Sequence, residues 1–246
     1  MFQHIHNNLN YLAPIILSSA IGDVNGDRVP DKVYLTGVKT MDSLFIQKIT
    51  LVIQDGQTGI VNYVPLKSDS GYNPTLFLGD FTGNKVDDIF ISIASGGSGG
   101  IMYYYIYSYL HNKPNLLFDY NIFNDLYKYK VTYENYYKIR VTNTTLGTEF
   151  IIDISNRDKS YLEEIYDPSG KLKAPIEGFV SPLSGLYPVD YDSDRVYELL
   201  AYQRISGQYA ADALGYVQTI MKWNHLHFTL VDQFVAILGN KVTVIY

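Results

Sequence analysis

The sequence predicts an all-β fold, a small β-propeller of about four blades, and three observations lead there. Three short acidic segments share one fine structure: DVNGDRVPD (Asp23 to Asp31), DFTGNKVDD (Asp80 to Asp88) and DYDSDRVYE (Asp190 to Glu198). They recur with a period. Asp23 and Asp80 are 57 residues apart, Asp80 and Asp190 are 110 apart, close to two such periods, and Asp190 to Tyr246 again spans 57. Each is flanked on both sides by short apolar segments. A period of this size marks a propeller or another repeat array. It divides a single domain, 1–246, into units of roughly 12–68, 69–125, 126–180 and 181–246.

The elements follow in order. APIILSSAIGD, PTLFLGD and SGLYPVD lead into the acidic segments, and KVYLTG, DIFISIAS and YELLAYQ lead out. Their alternation and their Val, Ile, Tyr, Phe and Leu content predict strands. Each acidic segment therefore joins two strands of one unit. FIQKITLVIQ, IMYYYIYSYL, TEFIIDIS and GYVQTIMKWN read as further strands, punctuated by DGQTG, HNKP, DPSG and LGN. The third unit lacks an acidic loop, which would fall near YENYY (Tyr133 to Tyr137). No long 3.6-residue apolar period occurs, and the best helical candidate is the short FNDLYKY (Phe123 to Tyr129). Three to four strands per unit, repeated four times, suits a small propeller.

The loops carry the chemistry. Hard cations such as calcium take six to eight oxygen ligands, and a nine-residue loop with oxygens at alternate positions can supply them. The first loop offers Asp23, Asn25, Asp27 and Asp31 with the carbonyl of Val29. The second offers Asp80, Thr82, Asn84 and Asp88 with Val86, and the third Asp190, Asp192, Asp194 and Glu198 with Val196. Up to three structural calcium ions are expected. The third loop has four carboxylates, the first three and the second two, so the second should bind weakest. The competing reading is a metal-free turn held by Asx hydrogen bonds.

These loops resemble those of FG-GAP or VCBS-type repeats, the calcium-loop units of integrin-like β-propellers, whose pattern is roughly DxDGDGxxD followed by an apolar strand. GYNPTLFLGDFTG, ISIASGGSGG, SPLSGLYPVD and ALGYVQT are similar to a group of VCBS-repeat proteins of spore-forming Firmicutes. The resemblance implies a bacterial calcium-loop propeller and brings no activity with it. One departure stands out. The family often places Gly at position 6, where φ tends to be positive, whereas this chain has Arg28, Lys85 and Arg195.

Composition narrows the rest. Hydrophobic residues make up 47% and charged residues 18%, a globular balance. The net charge of −6 and the lack of a basic cluster argue against nucleic acid as a partner. No apolar run is long enough to span a membrane. Without cysteine there is neither disulfide nor thiol chemistry. LAPIILSSAIG makes no convincing signal peptide and reads as the first strand, which leaves the cytoplasm or a spore or cell surface as settings. The 24 tyrosines suit half-buried strands, with a sugar-stacking or partner-binding face as the second reading.

GGSGG (Gly96 to Gly100) formally matches G-x-S-x-G. The strand after it makes it a hairpin loop rather than a nucleophile elbow. His4/His6 and His225/His227 would each share a strand face, without an identifiable third ligand. No catalytic triad, phosphate loop or cofactor fingerprint is visible, so no catalytic residue is assigned. The expectation is a non-catalytic, calcium-stabilised propeller that presents a binding surface to a protein or a glycan. The alternative is a polysaccharide-acting hydrolase or lyase with its site in the central channel.

Overall fold

The computed structural model describes residues 13–39, 43–97, 99–237 and 239. It is all-β, with three antiparallel sheets. The first sheet is a four-stranded meander of β1 (Ile15–Gly22), β2 (Asp31–Lys39), β3 (Ile46–Gln54) and β4 (Val61–Pro65). The second repeats this order with β5 (Tyr72–Gly79), β6 (Asp88–Ala94), β7 (Met102–Ser108) and β8 (Asn115–Asp119). A helix of about two turns, α1 (Tyr120–Leu126), follows at once; the Asp119 carboxylate caps it by accepting from Asn121 N–H at 2.8 Å. The helix predicted at Phe123 to Tyr129 is thus real but starts earlier. It stops because β9 begins at Tyr129.

The third sheet is larger. It contains β9 (Tyr129–Glu134), β10 (Lys138–Asn143), β11 (Thr148–Asp153), β12 (Glu177–Val189), β13 (Glu198–Ser206), β14 (Ala213–Trp223) and β15 (Phe228–Ala236). The strand order is β11-β10-β9-β12-β13-β14-β15. β12 to β15 form a meander like those of the first two sheets. β9 to β11 form a second meander that joins it where Glu177 and Gly178 pair with Thr132 and Val131. The sheet curls until its ends approach, and Asn143 Nδ2 of β10 donates to Gln233 Oε1 of β15 at 2.9 Å. α2 (Lys159–Ile165) buries Ile165 against this curl.

Alternation decides the faces. Val33 and Leu35 of β2, and Leu199, Ala201 and Ile205 of β13, point inward between half-exposed neighbours. β6 is apolar almost throughout, with Ile89, Ile91 and Ile93 fully buried. Each such side chain contributes about 1.5–3 kcal/mol when taken from water. One core unites the first two sheets with the β12–β15 meander, and Phe81 is central to it, 6.1 Å from Phe90 and 5.8 Å from Tyr197 between ring centres. A second core, with Val131, Ile139, Val141, Ile152 and Val217, fills the curl.

Other sequence expectations resolve simply. GGSGG lies in the hairpin between β6 and β7, closed by Ser95 N–H donating to the Ile101 carbonyl, and a strand follows it. Ser98 lies outside the described residues, as do His4, His6 and the KVTVIY terminus. His225 and His227 do not share a strand face. They occupy the turn between β14 and β15, where Asn224 Oδ1 accepts from the Leu226 and His227 N–H groups. YENYY covers the turn between β9 and β10, in which Tyr136 and Tyr137 take positive φ.

Candidate functional site

Each acidic loop joins the first and second strands of a four-stranded meander: β1 to β2, β5 to β6 and β12 to β13. The three are built alike. The position-1 carboxylate folds over the loop backbone. Asp23 accepts from the N–H groups of Gly26 and Arg28 at 2.7 and 2.9 Å, and Asp80 from those of Gly83 and Lys85, both at 2.7 Å. Asp190 accepts from Asp194 and Arg195, both at 3.1 Å. The position-5 side chain accepts from the position-7 N–H: Asp27 from Val29, Asn84 from Val86, and Asp194 from Val196. The position-9 carboxylate is buried in all three and accepts from the position-2 N–H: Asp31 from Val24, Asp88 from Phe81, and Glu198 from Tyr191. The Asx-turn frame considered from sequence therefore exists in every copy. Arg28, Lys85 and Arg195 take φ of 68°, 65° and 71°, so position 6 is left-handed without glycine. Each such residue costs about 1–2 kcal/mol.

The loops also dock on one another by one repeated contact. The N–H of Asp87, position 8 of the second loop, donates to the carbonyl of Asp23, position 1 of the first, at 3.0 Å. The N–H of Tyr197, position 8 of the third, donates to the carbonyl of Asp80, position 1 of the second, at 2.8 Å. In the first loop position 8 is Pro30. A second contact repeats as well. Val86 sits where a side chain on Gly26 would meet it, and Val196 likewise lies over Gly83. These position-7 valines, expected as carbonyl donors, thus pack side chain to backbone between loops.

The three sites differ in charge. At the first, the sequence reading missed Asp55 and Asn112. Asp55 follows β3, where its Oδ1 accepts from Gln57 and Thr58, the turn DGQTG predicts. Its Oδ2 accepts from Asn25 Nδ2 at 3.2 Å and Asn112 Nδ2 at 3.0 Å. Asn25 Nδ2 also lies 3.5 Å from Asp31 Oδ1. Burial pushes the Asp31 carboxyl up; the N–H groups of Gly56 and Val24 pull it back, while the charges of Asp27 and Asp55 add to the rise. The Thr58 N–H holds Asp55 low. Tyr109 stands beside this cluster, 1% exposed, and burial together with the charges of Asp31 and Asp55 pushes its phenol up.

At the second loop, burial pushes Asp88 up to about 7. Thr82 and Asn84 are its neutral companions, and Thr82 Oγ1 lies 3.5 Å from Asp80. Asp87, which is not among the expected ligands, donates its N–H to the first loop, and burial raises its carboxyl too.

At the third loop, Asp190, Asp192 and Asp194 bring carboxylate oxygens within 4.8 Å of one another. A cation is already there. Lys222 Nζ of β14 lies 3.0 Å from Asp192, 2.9 Å from Glu198 and 4.0 Å from Asp194. The Glu198 and Asp192 carboxylates hold Lys222 well above the usual ammonium range, and Lys222 in turn holds Asp192 low. Nothing in the loop sequence signals this partner, which comes from the third strand of the β12–β15 meander.

The fold and the site define an all-β protein of antiparallel meanders whose first connections are stacked acidic loops. Residues 127–236, the span of β9 to β15, match the family model described as the YybI C-terminal domain. Over 228 residues the chain is 48% identical to the "Uncharacterized protein YybI" of Bacillus subtilis (strain 168), covering 93% of this chain and 87% of that protein. The chain belongs to the YybI family. No FG-GAP or VCBS repeat model matches, so the expected resemblance narrows to a protein of a spore-forming Firmicute. No solved structure matches the chain.

Proposed function

We propose that this protein is a non-catalytic binding module whose three loop-bearing meanders are successive blades of a small β-propeller, with calcium as a structural ion in its acidic loops. The observation that carries the reading is Asp31. It is a fully buried carboxylate with Asp55 as a buried neighbour, and no cation pairs with either among the described residues. An ion bound there would remove the repulsion between them. Asp23, Asn25, Asp27, Asp31 and Asp55 supply a hard, all-oxygen donor set of the kind calcium takes. The second loop offers Asp80, Thr82, Asn84 and Asp88. In the third, an ion would have to displace the ammonium of Lys222, which works against binding there. The loop-to-loop contacts support a structural role, since fixing one loop fixes its neighbour.

The test is thermal unfolding in calcium and in chelator. An ion bound only to the folded state adds RT ln(1 + [L]/Kd), about 2.7 kcal/mol per site at a hundredfold excess over Kd. Calcium should raise the melting temperature and chelator should lower it. Equal melting in both would leave the loops as metal-free turns and end the proposal.

A further inference from the structure

A cleft of about 380 Å³ opens on the face of the third sheet opposite the buried Ala201 and Ile205. Tyr187 of β12, Tyr202 and Arg204 of β13 and Tyr216 of β14 line it, with Ser184, and Gly100 of the β6–β7 hairpin closes one side. The strands place these groups side by side. Tyr202 and Arg204 are two residues apart and share a face, and Arg204 pairs across the ladder with Tyr216. Tyr187 and Tyr202 meet edge to face at 5.4 Å, and Tyr202 and Tyr216 at 6.0 Å. Gly185 makes this possible. A side chain there would meet the Tyr187 ring at 2.9 Å, so the missing Cβ lets that ring lie across the strand beside Tyr202.

Arg204 is the anomaly. Its Nε is buried without a hydrogen-bond partner, and none of the ion pairs among the described residues includes it. The other β-strand arginine of this sheet, Arg140, is by contrast held by Glu134 and Glu149. A buried donor left unmatched costs free energy, and such a group normally has a partner. A planar guanidinium matches a carboxylate with two parallel hydrogen bonds.

We propose that this cleft binds a carboxylate-bearing sugar, with Arg204 on the carboxylate. The walls argue for sugar over a flat aromatic acid. A pyranose has one face of C–H groups and a rim of hydroxyls. Tyrosine rings offer an apolar body and a polar tip to such a ligand, and the Ser184 hydroxyl, which donates to the Tyr202 carbonyl at 3.1 Å, keeps its oxygen as an acceptor. The rings here stand edge to face and leave the cleft open, which admits a chain of sugars; a stacked aromatic acid would need a closed apolar slot. The volume lies in the range of small-ligand sites. The assignment rests on the binding-module reading and gives it a ligand class, but it does not depend on calcium in the loops.

The experiment is saturation-transfer NMR and calorimetry on the full chain with digalacturonate, with galactobiose as the neutral match. Wild type should bind digalacturonate, and more weakly as salt rises, and should favour it over galactobiose at least tenfold. Arg204→Gln should lose that preference. Arg204→Lys, which keeps the charge but not the fork, should keep part of it. Gly185→Ala should weaken binding by displacing Tyr187, and Lys32→Gln, an exposed change on the first sheet, should leave it alone. Melting curves establish that each variant is folded, and Arg204→Lys carries the test should Arg204→Gln fail to fold. Absence of binding by wild type, or equal binding of the acidic and neutral sugars, overturns the assignment. A protein that melts higher in calcium yet takes no digalacturonate loses this inference and keeps the calcium reading.

Discussion

The ammonium of Lys222 and the carboxylate of Glu198 lie 2.9 Å apart, one on β14 and the other at the ninth position of the third acidic loop. Glu198 is buried, while Lys222 is partly open to solvent. Lys222→Gln leaves Glu198, Asp192 and Asp194 without their cation. We expect a loss of about 1 kcal/mol in chelator, modest because the lysine is solvated. In calcium the loss should vanish or reverse, since the ion no longer competes with an ammonium. Melting curves of the variant in both media check this, and a calcium response no larger than that of wild type would contradict it.

Asp55 organises the first loop from outside it. Asp55→Ala removes the acceptor for Asn25, Asn112 and the Gln57 and Thr58 N–H groups, and should lower the melting temperature by about 5 °C in chelator. Asp55→Asn keeps one carbonyl acceptor and lifts a negative charge from beside Asp31, so it should lose less in chelator. Both should respond less to calcium than wild type. A full response from Asp55→Ala would exclude Asp55 from the donor set.

Gly207 faces a buried polar knot. The hydroxyls of Tyr133 and Tyr161 share a hydrogen bond at 2.8 Å, and Asp212 Oδ2 lies within reach of both, at 3.2 and 2.9 Å. A Cβ on Gly207 would stand 2.0 Å from that oxygen and 2.1 Å from the Tyr133 hydroxyl. Gly207→Ala should therefore cost about 2–3 kcal/mol through forced displacement of the knot. Denaturant titration measures it; a cost below about 0.5 kcal/mol would mean the knot shifts freely.

Alkali tests the tyrosine core. Burial pushes the phenols of Tyr104 and Tyr105 up to about 12, from the ordinary 10.0. In the unfolded chain they release their protons near 10. Their contribution to stability is thus complete below pH 10 and is lost as pH climbs from there to about 12. Tyrosinate absorbance should rise in two stages, first for exposed tyrosines, then together with loss of the β-sheet circular dichroism signal. Ionisation of every tyrosine near pH 10 with the sheet signal intact would count against this.

Much of this was legible in the chain. The strands on both sides of each loop follow from alternation, as in KVYLTG, where Val33 and Leu35 are the buried pair. The Asx frame follows from side-chain oxygens at fixed offsets. What was hidden is what depends on distant chain. The period places a unit boundary near residue 180, yet β12 runs without a break from Glu177 to Val189, pairing at its start with β9 and along its length with β13. The β12–β13 ladder shifts register twice, at Val180/Leu183 and Leu183/Gly185, and no residue pattern announces these shifts. Asp55, Asn112 and Lys222 reach the loops from elements far off in sequence, where an acid in a turn or a lysine on a strand looks ordinary. Arg204 likewise reads as a routine polar position until its lack of a partner is seen.

Pro30 gives the stack of loops a direction. Position 8 of each later loop lends its N–H to the loop before it, but proline has none to lend. The first loop can receive this bond and cannot pass it back. A further copy of the meander could therefore be accommodated downstream by the same joint, while one inserted ahead of the first would find no donor to meet it. A single ring nitrogen thus fixes where the array starts.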